Sequence, residues 1–247
     1  MLHRLIAPVL ASAIALPAVA LDLGAMTEAE RELFRAEVRA YLMDNPQVIM
    51  DAVQVLQTRE AEAKARADLD LVADNTDELF NDGYSWVGGN PDGDIVLVEF
   101  LDYRCGYCRR AHDEVAQLLE TDGNIKLIVK EFPILGEQSV LASRWAVATK
   151  QVAGDDAYKD MNDALMTFPG DFTVPALRRV AETFGLDADA IEARMDAPEV
   201  TEEINKTRAL AQKMQITGTP TFVMQDELLR GYLPLDAMLA LVDNKRS

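Results

Sequence analysis

The chain has 247 residues, 49% of them hydrophobic, which is enough to bury a sizeable core in one large domain with room for a small appendage. A formal charge of −18 at neutral pH excludes nucleic acid and anionic membrane surfaces as partners. No low-complexity tract or internal repeat breaks the pattern.

At the start, His3 and Arg4 precede an apolar run over residues 5–16 and then Pro17-Ala18-Val19-Ala20. A charged region, an apolar region and an Ala-x-Ala site predict a signal peptide over residues 1–20, cleaved after Ala20. The run is short for a membrane span and is broken by Pro8 and Pro17. Export implies an oxidising compartment, a bacterial-type periplasm.

Residues 21–58 read as a helical oligomerisation arm. Thr27 with Glu30 is a capping-box signature, and Leu33, Phe34, Val38, Tyr41 and Leu42 follow at helical spacing. Asn45-Pro46 reads as the cap and first position of a second helix with the stripe Ile49, Val53 and Leu56. Two short helices cannot bury those stripes alone, so they pack on the main domain or on copies of themselves. Residues 59–83 open with alanine and alternating charge, a helical linker with little apolar surface, and the polar spacer favours packing on copies.

From residue 84 the pattern is α/β. Residues 84–87 make a short edge strand, and Asn90-Pro91-Asp92-Gly93 has the residue types of a type I turn. Residues 95–100 are apolar at nearly every position, as in a strand buried on both faces. Residues 125–132 form the next strand after a helix carrying Ala111, Val115, Leu118 and Leu119, a β-α-β unit with a parallel connection. A helical insert of four or five helices spans about 139–215, with breaks at Gly154, Pro169-Gly170, Gly185 and Pro198. A strand at 221–224, a hairpin turn at Gln225-Asp226 and a last helix at 235–242 close the chain.

The only two cysteines stand one helical turn apart in Cys105-Gly106-Tyr107-Cys108, between a strand and a helix. That order is the order of a thiol redox site. A thiol at a helix N-terminus meets unpaired N–H groups and the positive end of the macrodipole, and Arg104, Arg109 and Arg110 add positive potential. Cys105 is therefore the expected nucleophile and Cys108 the resolving thiol. Two other readings compete. A structural zinc would need His3 and His112 as its remaining ligands, and a plain structural disulfide would close too short a loop to stabilise much. Glu99, a carboxylate inside the buried strand, is costly there unless it exchanges a proton with Cys108, points to solvent or pairs with Lys126 or Lys130.

Strand 95–100, the Cys-x-x-Cys, a helical insert, Thr219-Pro220 before a strand, a hairpin and a last helix together resemble the thioredoxin fold of the DsbA-like thiol:disulfide oxidoreductases, over about residues 84–247. The resemblance implies a redox-active disulfide Cys105–Cys108, a cis proline at Pro220 facing it, and substrate binding by Thr219, Pro220, Gly106 and Tyr107, with Thr219 backbone groups pairing with a client peptide. No cofactor or metal is implied. Phe34 to Leu42 with Asn45-Pro46-Gln47-Val48-Ile49 is similar to the N-terminal segment of the ScsC (suppressor of copper sensitivity protein C) family, whose stalk can form a homotrimer. Cys-Gly-Tyr-Cys with threonine before the proline looks more like isomerase and reductase members such as DsbC than like the oxidase DsbA, with Cys-Pro-His-Cys and valine. The expected activity is thus disulfide isomerase or reductase on exported proteins with disulfides, kept reduced by a membrane reductase of the DsbD/ScsB type. Dithiol oxidase is the second reading, and Cu(I) binding for copper tolerance, through soft thiolates, is one of another class.

Overall fold

The structure, a computed structural model, describes residues 24–247. The expected signal peptide lies outside the described residues. The chain divides at Glu60/Ala61 into two compact units.

The first unit holds α1 (Glu28–Asp44) and the start of α2 (Gln47–Asp74). The capping box forms as expected: the Thr27 hydroxyl accepts from the Glu30 N–H, and the Glu30 carboxylate accepts from the Thr27 N–H at 2.8 Å. Asn45 does not cap the second helix. Its backbone N–H and its side-chain amide both donate to the Tyr41 carbonyl, so it closes α1, and α2 begins one residue after Pro46. No glycine or proline interrupts residues 47–74, and the Ala-, Glu- and Arg-rich stretch has high helix propensity, so one helix of 28 residues runs from the arm through much of the helical linker.

The second unit is built on a five-stranded sheet in the order β1-β3-β2-β4-β5, with β1 at Trp86–Gly89, β2 at Ile95–Leu101, β3 at Ile125–Glu131, β4 at Thr221–Met224 and β5 at Glu227–Arg230. β2 and β3 are parallel and every other pair is antiparallel. β1 is an edge strand two residues later than expected, and the Asn90 carbonyl accepts from the Gly93 N–H to close the predicted turn. Central β2 alternates between two cores. Leu97 and Leu101 join the cluster containing Val115, Leu118 and Trp145, while Val98 and Phe100 join Ile128, Met214 and Val223.

The second cluster also takes in Val72 from α2 and Leu79 from α3 (Thr76–Phe80), both buried. Lys130, fully buried, pairs with Asp82 and donates to the Glu78 carbonyl at 2.8 Å. The second half of residues 59–83 thus covers one face of the sheet with its apolar side chains, and the second compact unit runs over Ala61–Ser247.

Between β2 and β3 runs α4 (Gly106–Asp122). The insert consists of five helices, α5 (Glu137–Ala153), α6 (Asp155–Thr167), α7 (Val174–Thr183), α8 (Ala188–Met195) and α9 (Pro198–Lys213), and α10 (Leu235–Lys245) closes the fold. Gly154, at φ +89°, forms the break between α5 and α6, a conformation most side chains resist. Among the described residues no helix is long and apolar enough to cross a membrane.

Candidate active site

β2 delivers Asp102, Tyr103 and Arg104 into a turn that ends at Cys105, the N-cap of α4. Asp102 organises this turn. Its carbonyl accepts from the Cys105 N–H at 2.9 Å. Its buried carboxylate accepts from the Arg104 N–H at 2.8 Å, and from the N–H groups of Ile134 and Leu135 at 2.8 and 3.0 Å, tying the cysteine turn to the loop after β3. The local half of this signal, an aspartate that can bond the N–H two residues on, is visible in sequence; the loop half is not.

Cys105 and Cys108 are both free thiols and both buried. Cys105 is lowered from the usual thiol range to about 5, chiefly because the Cys108 thiol donates to its sulfur, helped by the Thr219 hydroxyl and the backbone N–H groups of Tyr107 and Cys108; partial burial opposes this. Cys108 moves the opposite way, well above the usual range, because its proton is held in that hydrogen bond and the group is desolvated. One sulfur of the pair is a thiolate at neutral pH and the other keeps its proton.

Across from Cys105 lies the Thr219–Pro220 peptide, which is cis. The Cys105 sulfur is 3.1 Å from the Thr219 carbonyl oxygen, which can accept only while that thiol is protonated. Thr219 is half-buried and Pro220 buried, whereas Gly106 is exposed and Tyr107 is 62% exposed, with its ring 6.1 Å from that of Tyr232. The structure thus brings Cys105, Cys108, Thr219 and Pro220 together and leaves Tyr107 on the rim.

The three arginines do not act as expected on the thiol. Arg109 donates to the carbonyls of Tyr103 and Phe168, both at 2.7 Å. Arg104 donates to Gln138 and Asp171, and Arg110 lies over the Tyr232 ring. The downward shift of Cys105 arises instead from hydrogen bonds within the motif and from Thr219.

A DSBA-like thioredoxin domain model matches residues 96–243. The chain belongs to the DSBA-like thioredoxin family. Its fold is thioredoxin-like, and the model of the copper resistance protein ScsC N-terminal domain matches residues 30–63 as well. A thioredoxin-like oxidoreductase of Silicibacter pomeroyi is 43% identical at a TM-score of 0.65, covering 69% of this chain and 96% of its own. Proteus mirabilis ScsC in a transitional conformation is 25% identical at a TM-score of 0.65, covering 91% of this chain and 98% of its own. The Na(+)/H(+) antiporter NhaA 1 of Salinispora arenicola is 27% identical over 161 residues, 63% of this chain but 24% of the antiporter. The chain thus spans about a quarter of the length of that curated relative, whose name describes the longer protein.

In this DSBA-like chain Glu99 sits mid-strand between Val129 of β3 and Phe222 of β4, 3% exposed. Neither Lys126 nor Lys130 pairs with it, and its Oε1 has no hydrogen-bond partner. Burial pushes its carboxyl up to about 7; the His112 imidazole opposes that rise, while Glu131 and Cys105 add to it. Glu99 faces a cavity of about 420 Å³ behind α4, walled by Trp86, Val115 and Leu119. His112 also lines this cavity. It is largely covered, and its Nε2 lies 3.2 Å from Asp163 of α6.

A second buried carboxylate was not foreseen. Glu131 of β3 accepts from the hydroxyls of Tyr103 and Tyr158, both at 2.6 Å, and Asn162 donates to the Tyr103 oxygen at 3.0 Å. Burial raises Glu131 to about 7 despite these donors. The network anchors Tyr103, two residues before the nucleophile position. No group of three or more metal-ligating side chains is assembled among the described residues.

Proposed function

We propose that this protein is a disulfide isomerase or reductase acting on exported client proteins in a periplasm, through Cys105 and Cys108. The observation that carries the reading is the asymmetry of the pair: Cys105 is a thiolate at neutral pH, while Cys108 is buried and holds its proton. The Cys105 thiolate attacks a client disulfide, forming a Cys105–client bond and releasing the second client sulfur as a thiolate. If another client thiolate attacks this bond, the client leaves with a new disulfide and no net electron transfer. If Cys108 attacks it, the products are a Cys105–Cys108 disulfide and a reduced client.

The second route requires Cys108 to lose its proton. Glu99, whose carboxyl burial raises to about 7, is the proposed acceptor. Once Cys105 is in the mixed disulfide, the hydrogen bond that holds the Cys108 proton has lost its anionic acceptor, and the resolving thiol is released for reaction. Resolution therefore waits on a proton transfer to a buried acid, which favours reshuffling of the client in the interval. Tyr107 in place of a cation removes a stabiliser of the thiolate and makes the pair less oxidising. Thr219 and Pro220 form the wall on which a client strand pairs.

A dithiol oxidase is the second reading, favoured by the Cys105 value near 5, since stabilising the thiolate stabilises the reduced form. Reactivation of scrambled ribonuclease, run beside oxidation of the fully reduced enzyme, separates the two. Fast oxidation with no reactivation reverses the ranking. Cu(I) carriage rests on the two thiols alone, because His112 is engaged with Asp163; undiminished Cu(I) affinity of Cys105→Ser protein removes the pair from that role.

The remaining parts follow from the same reading. A membrane reductase of the DsbD/ScsB type returns the oxidised pair to dithiol. The arm joins three copies: Leu33, Phe34, Val38, Tyr41, Ile49, Val53 and Leu56 are all exposed in the single chain.

A further inference from the structure

Beside Gly106 an open groove of about 530 Å³ is lined by Arg104, Arg109, Pro169, Gly170 and Asp171. Two guanidiniums share it with one carboxylate, and Asp171, 71% exposed, is the weaker half of its pair with Arg104. Arg109 is fixed on two neutral carbonyls and lies over the Phe172 ring, 5.8 Å from its centroid, and its charge has no carboxylate partner among the described residues. The two cations are close enough for Arg104 to act unfavourably on Arg109, in addition to the larger effect of burial. This excess of positive charge stands one residue from Cys105, on a chain of net charge −18.

We infer that this groove is a specificity subsite that selects clients carrying a carboxylate within a residue or two of the reacting disulfide cysteine. The inference rests on Cys105 being the attacking thiol, as proposed above. A client strand whose cysteine meets Cys105 has its neighbouring side chain beside Gly106, at the mouth of the groove. There a carboxylate displaces Asp171 from the Arg104 fork and meets a guanidinium already held in place, so little ordering is lost on binding. A lysine in the same position meets two like charges. The selection acts on the approach and orientation of the client and therefore weakens with salt. The chemical step is unchanged: the Cys105–client bond forms as the client disulfide breaks, and the departing client sulfur leaves as a thiolate.

The test is the rate of mixed-disulfide formation by full-length protein with three peptide disulfides that differ only in Asp, Ser or Lys next to the cysteine. At low ionic strength the order Asp > Ser > Lys is expected, with about fivefold between neighbours, collapsing at 0.5 M salt. Arg104→Glu should invert the order, and Asp171→Asn should widen it. Both side chains are exposed enough for the variants to fold. Neutral 2,2′-dithiodipyridine, run in parallel, corrects each rate for changes in the thiol itself. If that reagent fails to react at Cys105, the thiol reading itself falls. If it reacts but the three peptides do not differ, or Arg104→Glu leaves the order intact, only the subsite falls. Glutathione disulfide supplies carboxylates on a small molecule; acceleration of it alone, without the aspartyl peptide, assigns the groove to a small thiol and overturns the client reading.

Discussion

Cys105 and Cys108 hold one proton between two sulfurs at neutral pH, and their neighbours decide which sulfur keeps it. The donors to Cys105 are local N–H groups and a Cys108 thiol, plus one distant hydroxyl, Thr219. Thiolate absorbance of the reduced protein should therefore titrate near pH 5, and Thr219→Val should move the midpoint upward; an unmoved midpoint removes the hydroxyl from the account. The same shift sets the pH dependence of stability. Because folding lowers this thiol from its ordinary value of 9.0, its contribution to the reduced form is complete above pH 9 and is lost as pH falls towards 5. Glu99 has the opposite sign. Folding raises its carboxyl, so its favourable contribution is present below pH 4.5 and is lost as pH rises through about 7, where a buried charge must form. Glu99→Gln should accordingly raise stability at pH 8 by about 2 kcal/mol in denaturant unfolding, with little effect at pH 4, and should slow resolution of a Cys105 mixed disulfide. Much of this site was legible in the chain: the pair from its spacing, Glu99 from a lone charge in an apolar strand. Glu131, the tie of Asp102 to the loop after β3 and the anchoring of Arg109 on Phe168 were not, because these contacts join residues 27 to 59 positions apart, beyond any local pattern.

At the scale of elements, the strands and the five insert helices follow from periodicity and from breakers such as Gly154 and Gly185, which punctuate the sequence where the helices end. Along α2 the composition changes at Thr58, from an apolar stripe to alanine and alternating charge. A change of composition is not a change of conformation: alanine and alternating charges continue a helix as well as apolar stripes do. Its last turns and α3 then serve the sheet. Leu79 is completely buried against residues of β2, β3 and α9. Leu79→Ala should cost about 2–4 kcal/mol in urea unfolding, whereas a loss under 1 kcal/mol would mean that the segment before residue 84 is dispensable to the core. The central position of β2, whose two faces are both covered like those of β3 and β4, also explains the burial of Glu99.

At the scale of the molecule, α1 buries no residue and leaves Leu33 72% and Phe34 44% exposed. A helix with so much uncovered apolar surface calls for a partner. In full-length protein, sedimentation should give a trimer, and the pair Val38→Glu with Ile49→Glu should give a monomer; a monomeric wild type would contradict the stalk. Reshuffling of disulfides, the activity proposed for this DSBA-like protein, needs attack by Cys105 but no net transfer of electrons. The most direct measurement is reactivation of scrambled ribonuclease by reduced wild type, Cys108→Ala and Cys105→Ala protein side by side. Reactivation is expected from wild type, substantial reactivation from Cys108→Ala and none from Cys105→Ala. The isomerase function is contradicted if none of the three reactivates the scrambled enzyme while the oxidised wild type rapidly oxidises reduced ribonuclease.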